Sequence, residues 1–74
     1  MSLSHEIKRI RQTALLSQVE FANSVNVSFS TVNRWENGKG KPSLSAMKAL
    51  KQFCEVHHIP YDNLQKEWCS SSGM

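Results

Sequence analysis

The sequence predicts an all-α fold, a compact bundle of five short helices, and three observations carry the prediction. Apolar residues recur at spacings of three and four along five separate stretches, as they do on one face of an α-helix. Most of these stretches open on a Ser, a residue whose side chain caps helix N-termini, and close near a Gly, Asn or Pro. Only three Gly and two Pro occur in 74 residues, too few for the many turns of an all-β chain. A chain this short is expected to form a single domain over residues 1–74, with too little buried surface for a catalytic domain beside its core. No enzyme is expected.

The first helix is expected over about residues 4–14, with Ile7, Ile10 and Ala14 on one stripe. Glu6 stands in its first turn and Lys8, Arg9 and Arg11 lie further along, as the helix dipole favours. Ser17-Gln18-Val19-Glu20 is a capping box, so a second helix starts at Gln18 and runs to about residue 25, burying Phe21, Ala22 and Val25. Asn26 follows where the chain must turn, because Asn tolerates a left-handed backbone, and Val27 is then free to point inward. Ser28 caps a third helix over about residues 28–37, with Val32 and Trp35 inward, Gly38 as its stop, and Phe29, Ser30, Asn33 and Arg34 on the opposite face. Residues 39–42 form a short basic loop. Ser43 caps a fourth helix over about residues 44–58, with Leu44, Met47, Leu50, Phe53 and Cys54 as its apolar stripe. Pro60 precedes a last helix over about residues 61–68, and residues 69–74 read as a frayed tail.

The net charge of +3 is unevenly spread. Residues 1–54 hold eight basic side chains against Glu6, Glu20 and Glu36, whereas residues 55–74 hold Lys66 against Glu55, Asp62 and Glu67. A basic working portion followed by a C-terminal part with another task is one reading; a fluctuation in a short chain is the other. Cys54 and Cys69 lack the density of a disulfide framework, and no signal peptide or membrane-length apolar run is visible, so a cytoplasmic location is expected. Cys54, His57, His58 and Cys69 invite a zinc reading, but paired Cys spacing is absent and Cys54 falls on an apolar stripe; no metal is expected. Nothing resembles a phosphate loop or a catalytic carboxylate pair, and neither a cofactor nor a small-molecule ligand is expected.

The informative segment is residues 18–35, two short helices joined by a tight turn. A duplex major groove, about 12 Å wide, admits one α-helix while the preceding helix crosses the backbone. Ala22 is small where two such helices approach, Asn26 supplies the turn, and Val25, Val27 and Val32 seal the angle between them. Here the sequence resembles the lambda-repressor and Cro-like family of helix-turn-helix regulators, also called the xenobiotic-response-element type. The resemblance spans about Ile7 to Ile59. It rests on Ser17-Gln18-Val19-Glu20-Phe21-Ala22, Val25-Asn26-Val27-Ser28, Thr31-Val32-Asn33-Arg34-Trp35-Glu36-Asn37-Gly38 and Lys41-Pro42-Ser43, in that order.

The resemblance implies sequence-specific binding of double-stranded DNA by a small transcriptional regulator, expected to be a repressor. It implies that Gln18 binds a phosphate and braces the third helix, and that Arg11 and Glu36 form a partly buried ion pair. Phe29, Ser30, Asn33 and Arg34 are the expected base-reading residues: Arg34 for guanine, Asn33 for adenine, Phe29 for a thymine methyl. Arg34 also suits a phosphate, Asn33 also suits solvent, and Phe29, where the family usually has a polar residue, also suits the core. Gln18, Lys39, Lys41 and Ser43 are the expected phosphate contacts. A homodimer is expected, since one such domain reads few base pairs. Tyr61, Leu64 and Trp68 form an apolar stripe that suits either a dimer face or packing on the domain's own core. The rival function is a protein-interaction module or antitoxin-like partner binder of the same fold, for which Val19 and Phe29 would supply an apolar outer face.

Overall fold

Four serines start four helices. In the structure, a computed structural model that describes residues 2–71, the Oγ atoms of Ser2, Ser17, Ser28 and Ser43 each accept the backbone N–H three residues on. Each such cap satisfies one of the donors a helix leaves open at its start, and contributes about 1 kcal/mol. The helices that follow are α1 (Leu3–Thr13), α2 (Gln18–Ser24), α3 (Phe29–Glu36) and α4 (Leu44–Val56); α5 (Asp62–Ser71) completes the all-helical chain. At Ser17 the capping box is complete, with the Glu20 carboxylate accepting the Ser17 N–H at 2.8 Å.

The first four helices also stop alike. One residue takes a left-handed backbone, and the N–H of the next residue donates to a carbonyl five residues back. Leu15, Asn26, Gly38 and His58 are the left-handed residues, with φ near 60–70°. The returning bonds run from Leu16 to Arg11, Val27 to Ala22, Lys39 to Arg34 and Ile59 to Cys54, at 2.8–3.2 Å. This reversal satisfies carbonyls at the helix end and swings the following residue back along the helix. Val27 and Leu16 are half-buried and Ile59 is buried, whereas Lys39 is exposed.

The faces left inward make one core from all five helices: Ile7 and Ile10 of α1, Phe21 and Ala22 of α2, Val32 and Trp35 of α3, Leu50, Phe53 and Cys54 of α4, and Leu64 of α5. Phe21 meets Phe53 edge-to-face with centroids 5.1 Å apart, a geometry the ring quadrupoles favour. α1 packs against both α3 and α5, and α2 against α3. Arg9 holds the buried Glu6 carboxylate at 2.9 Å and also donates to the Pro60 carbonyl, fastening α1 to the link before α5. Among the described residues, no helix is long and apolar enough to cross a membrane.

Several element boundaries differ from those expected, for local reasons. α1 starts at Leu3, one residue earlier than expected, because Ser2 is its cap. α4 ends at Val56, not 58, because His58 takes the left-handed turn that tucks Ile59 inward. Leu44, assigned to the apolar stripe of α4, is 60% exposed. Residues 69–71 of the expected tail are helical, as α5 runs on to Ser71; residues 72–74 lie outside the described residues.

Two predictions concern stability. Leu15 is 89% exposed and holds φ 61° with nothing gained from its side chain. A left-handed L-residue costs about 1–2 kcal/mol and a glycine's extra unfolded freedom returns part of it, so Leu15→Gly should stabilise by about 0.5–1 kcal/mol. The melting temperature should rise; a fall would show that Leu15 is held by contacts. Burial pushes the Cys54 thiol from 9.0 up to about 11, with Arg9 opposing and Glu55 adding a little. The unfolded chain therefore loses this proton first as pH rises between those values, and stability declines through that window by about 2–3 kcal/mol. Urea titrations at pH 8 and pH 11 should show this extra loss in the parent and not in Cys54→Ala.

Candidate nucleic-acid interface

α2 and α3 are joined by residues 25–28, where Asn26 (φ 60°) reverses the chain and Val27 folds back to bond the Ala22 carbonyl at 2.9 Å. The close approach of the two helices is lined by Ala22, Val25 and Val32, all buried. α3 therefore turns Val32 and Trp35 inward and leaves Phe29, Ser30 and Arg34 exposed, with Asn33 half-buried on the flank toward α2. Phe29 is 48% exposed, at the first position of the helix.

The tilt of α3 is set by a chain of side-chain bonds across three helices. Arg11 of α1 grips the Glu36 carboxylate with two bonds, Nε to Oε2 at 2.7 Å and Nη2 to Oε1 at 3.0 Å, and its Nη1 donates to the Leu16 carbonyl at 3.0 Å. Their side chains are 13% and 4% exposed. The bond to Glu36 raises the Arg11 pKa, burial opposes this, and the Glu36 charge adds to the rise. Gln18 of α2 donates to Glu36 Oε1 at 3.1 Å and accepts from Asn33 at 3.3 Å, and Asn33 accepts from Asn37 at 3.1 Å. Asn33 is thus fixed in its amide plane by neighbours rather than simply facing solvent. Asn37 was missed as a participant, although its place four residues after Asn33 on a helix was a usable signal.

Beyond α3, Arg34 donates from Nη2 to the Lys39 carbonyl at 3.2 Å, and its guanidinium lies over Gly40, where a Cβ would stand 3.4 Å from Nη2. A Cβ there would make ordinary van der Waals contact with the guanidinium, so the approach does not require a glycine. Lys39 is exposed. Lys41 is exposed too, yet its ammonium bonds the Trp68 carbonyl at 3.4 Å and lies 4.8 Å from the centre of the Trp68 ring. Ser43 uses its Oγ as acceptor for Ala46 N–H and keeps its own O–H to donate. Arg34, Lys39, Lys41 and Ser43 therefore lie on one continuous piece of chain following the outward face of α3, with Gln18 at its other edge.

The apolar stripe of α5 packs on the domain's own core. Leu64 is 1% exposed, so it offers no dimer surface; Tyr61 and Trp68 are half-buried against the core, and the Trp68 indole N–H donates to the Pro42 carbonyl at 2.8 Å. Of the residues considered for zinc, Cys54 is buried, His57 stacks on Phe53 at 4.2 Å, and Cys69 is exposed on α5. Among the described residues, no three His, Cys, Asp or Glu side chains are grouped to hold a metal ion.

Comparison with known proteins gives two findings. A family model described as "Helix-turn-helix" matches residues 7–59. An HTH-type transcriptional activator of Enterococcus faecalis, BcrR, is 29% identical over 56 residues, which are 76% of this chain. The chain spans only 28% of that relative's length. No solved structure matches.

Removing the Arg11 guanidinium would strand a buried carboxylate. Arg11→Ala should cost about 3 kcal/mol, because Glu36 keeps its desolvation penalty and loses its partner. Urea unfolding followed by circular dichroism checks this, and a loss below about 1 kcal/mol, the value of an exposed pair, would contradict it.

Proposed function

The chain belongs to the lambda-repressor-like helix-turn-helix family, and from that membership we propose that it binds double-stranded DNA sequence-specifically as a transcription regulator. The observation that carries the proposal is the outward face of α3, bearing Phe29, Ser30 and Arg34, on a helix whose tilt is fixed by Arg11, Gln18 and Glu36. A helix presented to the major groove must meet base edges at a set angle, and a fixed tilt supplies that angle.

In this reading Arg34 pairs with guanine O6 and N7, using donors left over from its bond to Lys39, with discrimination of about 1–3 kcal/mol. Asn33 contacts adenine with the N–H and lone pair not engaged by Gln18 and Asn37. Phe29 lies against a thymine methyl, and Ser30 serves either base. The second N–H of the Gln18 amide, the Ser43 hydroxyl, and the ammonium groups of Lys39 and Lys41 take phosphates, which set register without specifying sequence. The reading involves no catalytic step. Two copies on paired half-sites fit the dimensions: the domain is 31 Å in its longest extent, and half-sites one helical turn apart are about 34 Å from centre to centre. Repression by occluding a promoter needs only these contacts and is the proposed outcome; the E. faecalis relative, much longer, is named an activator.

The exposed Val19 and Phe29 favour one other reading, a protein-binding module on the same fold. Titration of labelled duplex at several salt concentrations separates the two. Binding to random duplex should weaken steeply with salt; no binding at low salt would favour the protein partner. Lys39→Ala and Lys41→Ala should each weaken all sequences alike and lower the salt slope by about 0.9, whereas Arg34→Ala should relax preference at one base pair of a selected site.

A further inference from the structure

The family match ends at residue 59, and α5 lies wholly beyond it. One residue of that helix nevertheless reaches back to the basic loop after α3. The indole N–H of Trp68 donates to the Pro42 carbonyl at 2.8 Å, its backbone carbonyl receives the Lys41 ammonium at 3.4 Å, and its ring lies beneath that ammonium at 4.8 Å. Pro42 is fully buried, so the backbone that Trp68 holds is an anchored point of the loop. These contacts join residues 26 and 27 positions apart.

We propose that Trp68 is a positioning residue for DNA binding, holding residues 39–42 in place and keeping the Lys41 ammonium oriented for a phosphate. The proposal rests on the DNA-binding reading above. A free lysine loses rotamer entropy when it is immobilised, a cost that falls when the side chain is already confined before binding. Confinement by Trp68 does not silence the charge. An ammonium has three donors, the long bond to the Trp68 carbonyl occupies one, and Lys41 remains exposed. The ring face also attracts the cation without consuming a donor. α5 thereby contributes to an interface built by α2, α3 and the loop.

The test compares the parent chain with Trp68→Leu, which removes ring and donor but keeps apolar bulk, and with Trp68→Phe, which restores a ring without the N–H. Each is made in the parent and in a Lys41→Ala background, checked for helicity, and titrated with labelled random duplex across a salt series. Trp68→Leu should weaken binding about two- to fivefold, the worth of one exposed cation–π contact or hydrogen bond, and Trp68→Phe should fall between. In the Lys41→Ala background the same changes should cost clearly less, the remainder coming from the hold on the loop that carries Lys39. If Trp68→Leu fails to fold, Trp68→Phe in both backgrounds makes the same comparison. Binding equal to or tighter than the parent's, or the same fold-loss in both backgrounds, overturns the proposal while leaving the DNA-binding reading intact. A parent that does not bind duplex overturns that reading and this inference with it, whereas one that binds duplex without regard to Lys41 overturns this inference alone.

Discussion

One guanidinium, that of Arg11, fixes α3 against α1 and the start of α2. Arg11 reaches two structures at once, the carboxylate at the end of α3 and the carbonyl of the turn into α2. Lysine could not replace it, because a point charge cannot grip both carboxylate oxygens in a plane and still donate sideways to a carbonyl. The pair's contribution to net stability is smaller than its geometry suggests, since desolvation of both charges cancels much of the attraction. What it does supply is an angle. Gln18 completes the arrangement by sharing Glu36 with Arg11 and passing a fixed orientation to Asn33.

Arg34, in the last turn of α3, repeats part of this device on the outer side of the helix. In both cases an arginine sits where the returning backbone bond lands, and its side chain donates to the carbonyl of the residue that sent the bond. Around Arg11 the clasp is inside and helps hold the bundle. Around Arg34 it is outside, and the exposed guanidinium rests on glycine and a carbonyl rather than on a carboxylate, so its charge is not neutralised there.

The helix starts were legible because Ser17, Ser28 and Ser43 act on N–H groups three residues away, and the core faces were legible because periodicity is local. The Arg11 and Glu36 pairing, 25 residues apart, came only from the family resemblance. Where the sequence misled, the deciding partner was distant or the backbone residue untypical. Nothing near His58 marks it as a left-handed stop. The last turn of α5 looks frayed until Trp68 is seen against Pro42, and the choice between surface and core for Leu64 stays open until α5 is laid on α1.

The four left-handed helix stops have a consequence for how quickly this chain can find its fold. Each reversal closes within six residues, between neighbours that meet early in an unfolded chain, and loops of this size close in about 10–100 ns. Start and stop signals are both local, so the helices can be delimited before the core assembles, and chains rich in such near contacts fold in microseconds to milliseconds. The long-range bonds of Arg11 and Trp68 then select among arrangements of ready-made helices. Residues on the outer face of α3 take little part in either stage, which leaves them open to change without cost to folding.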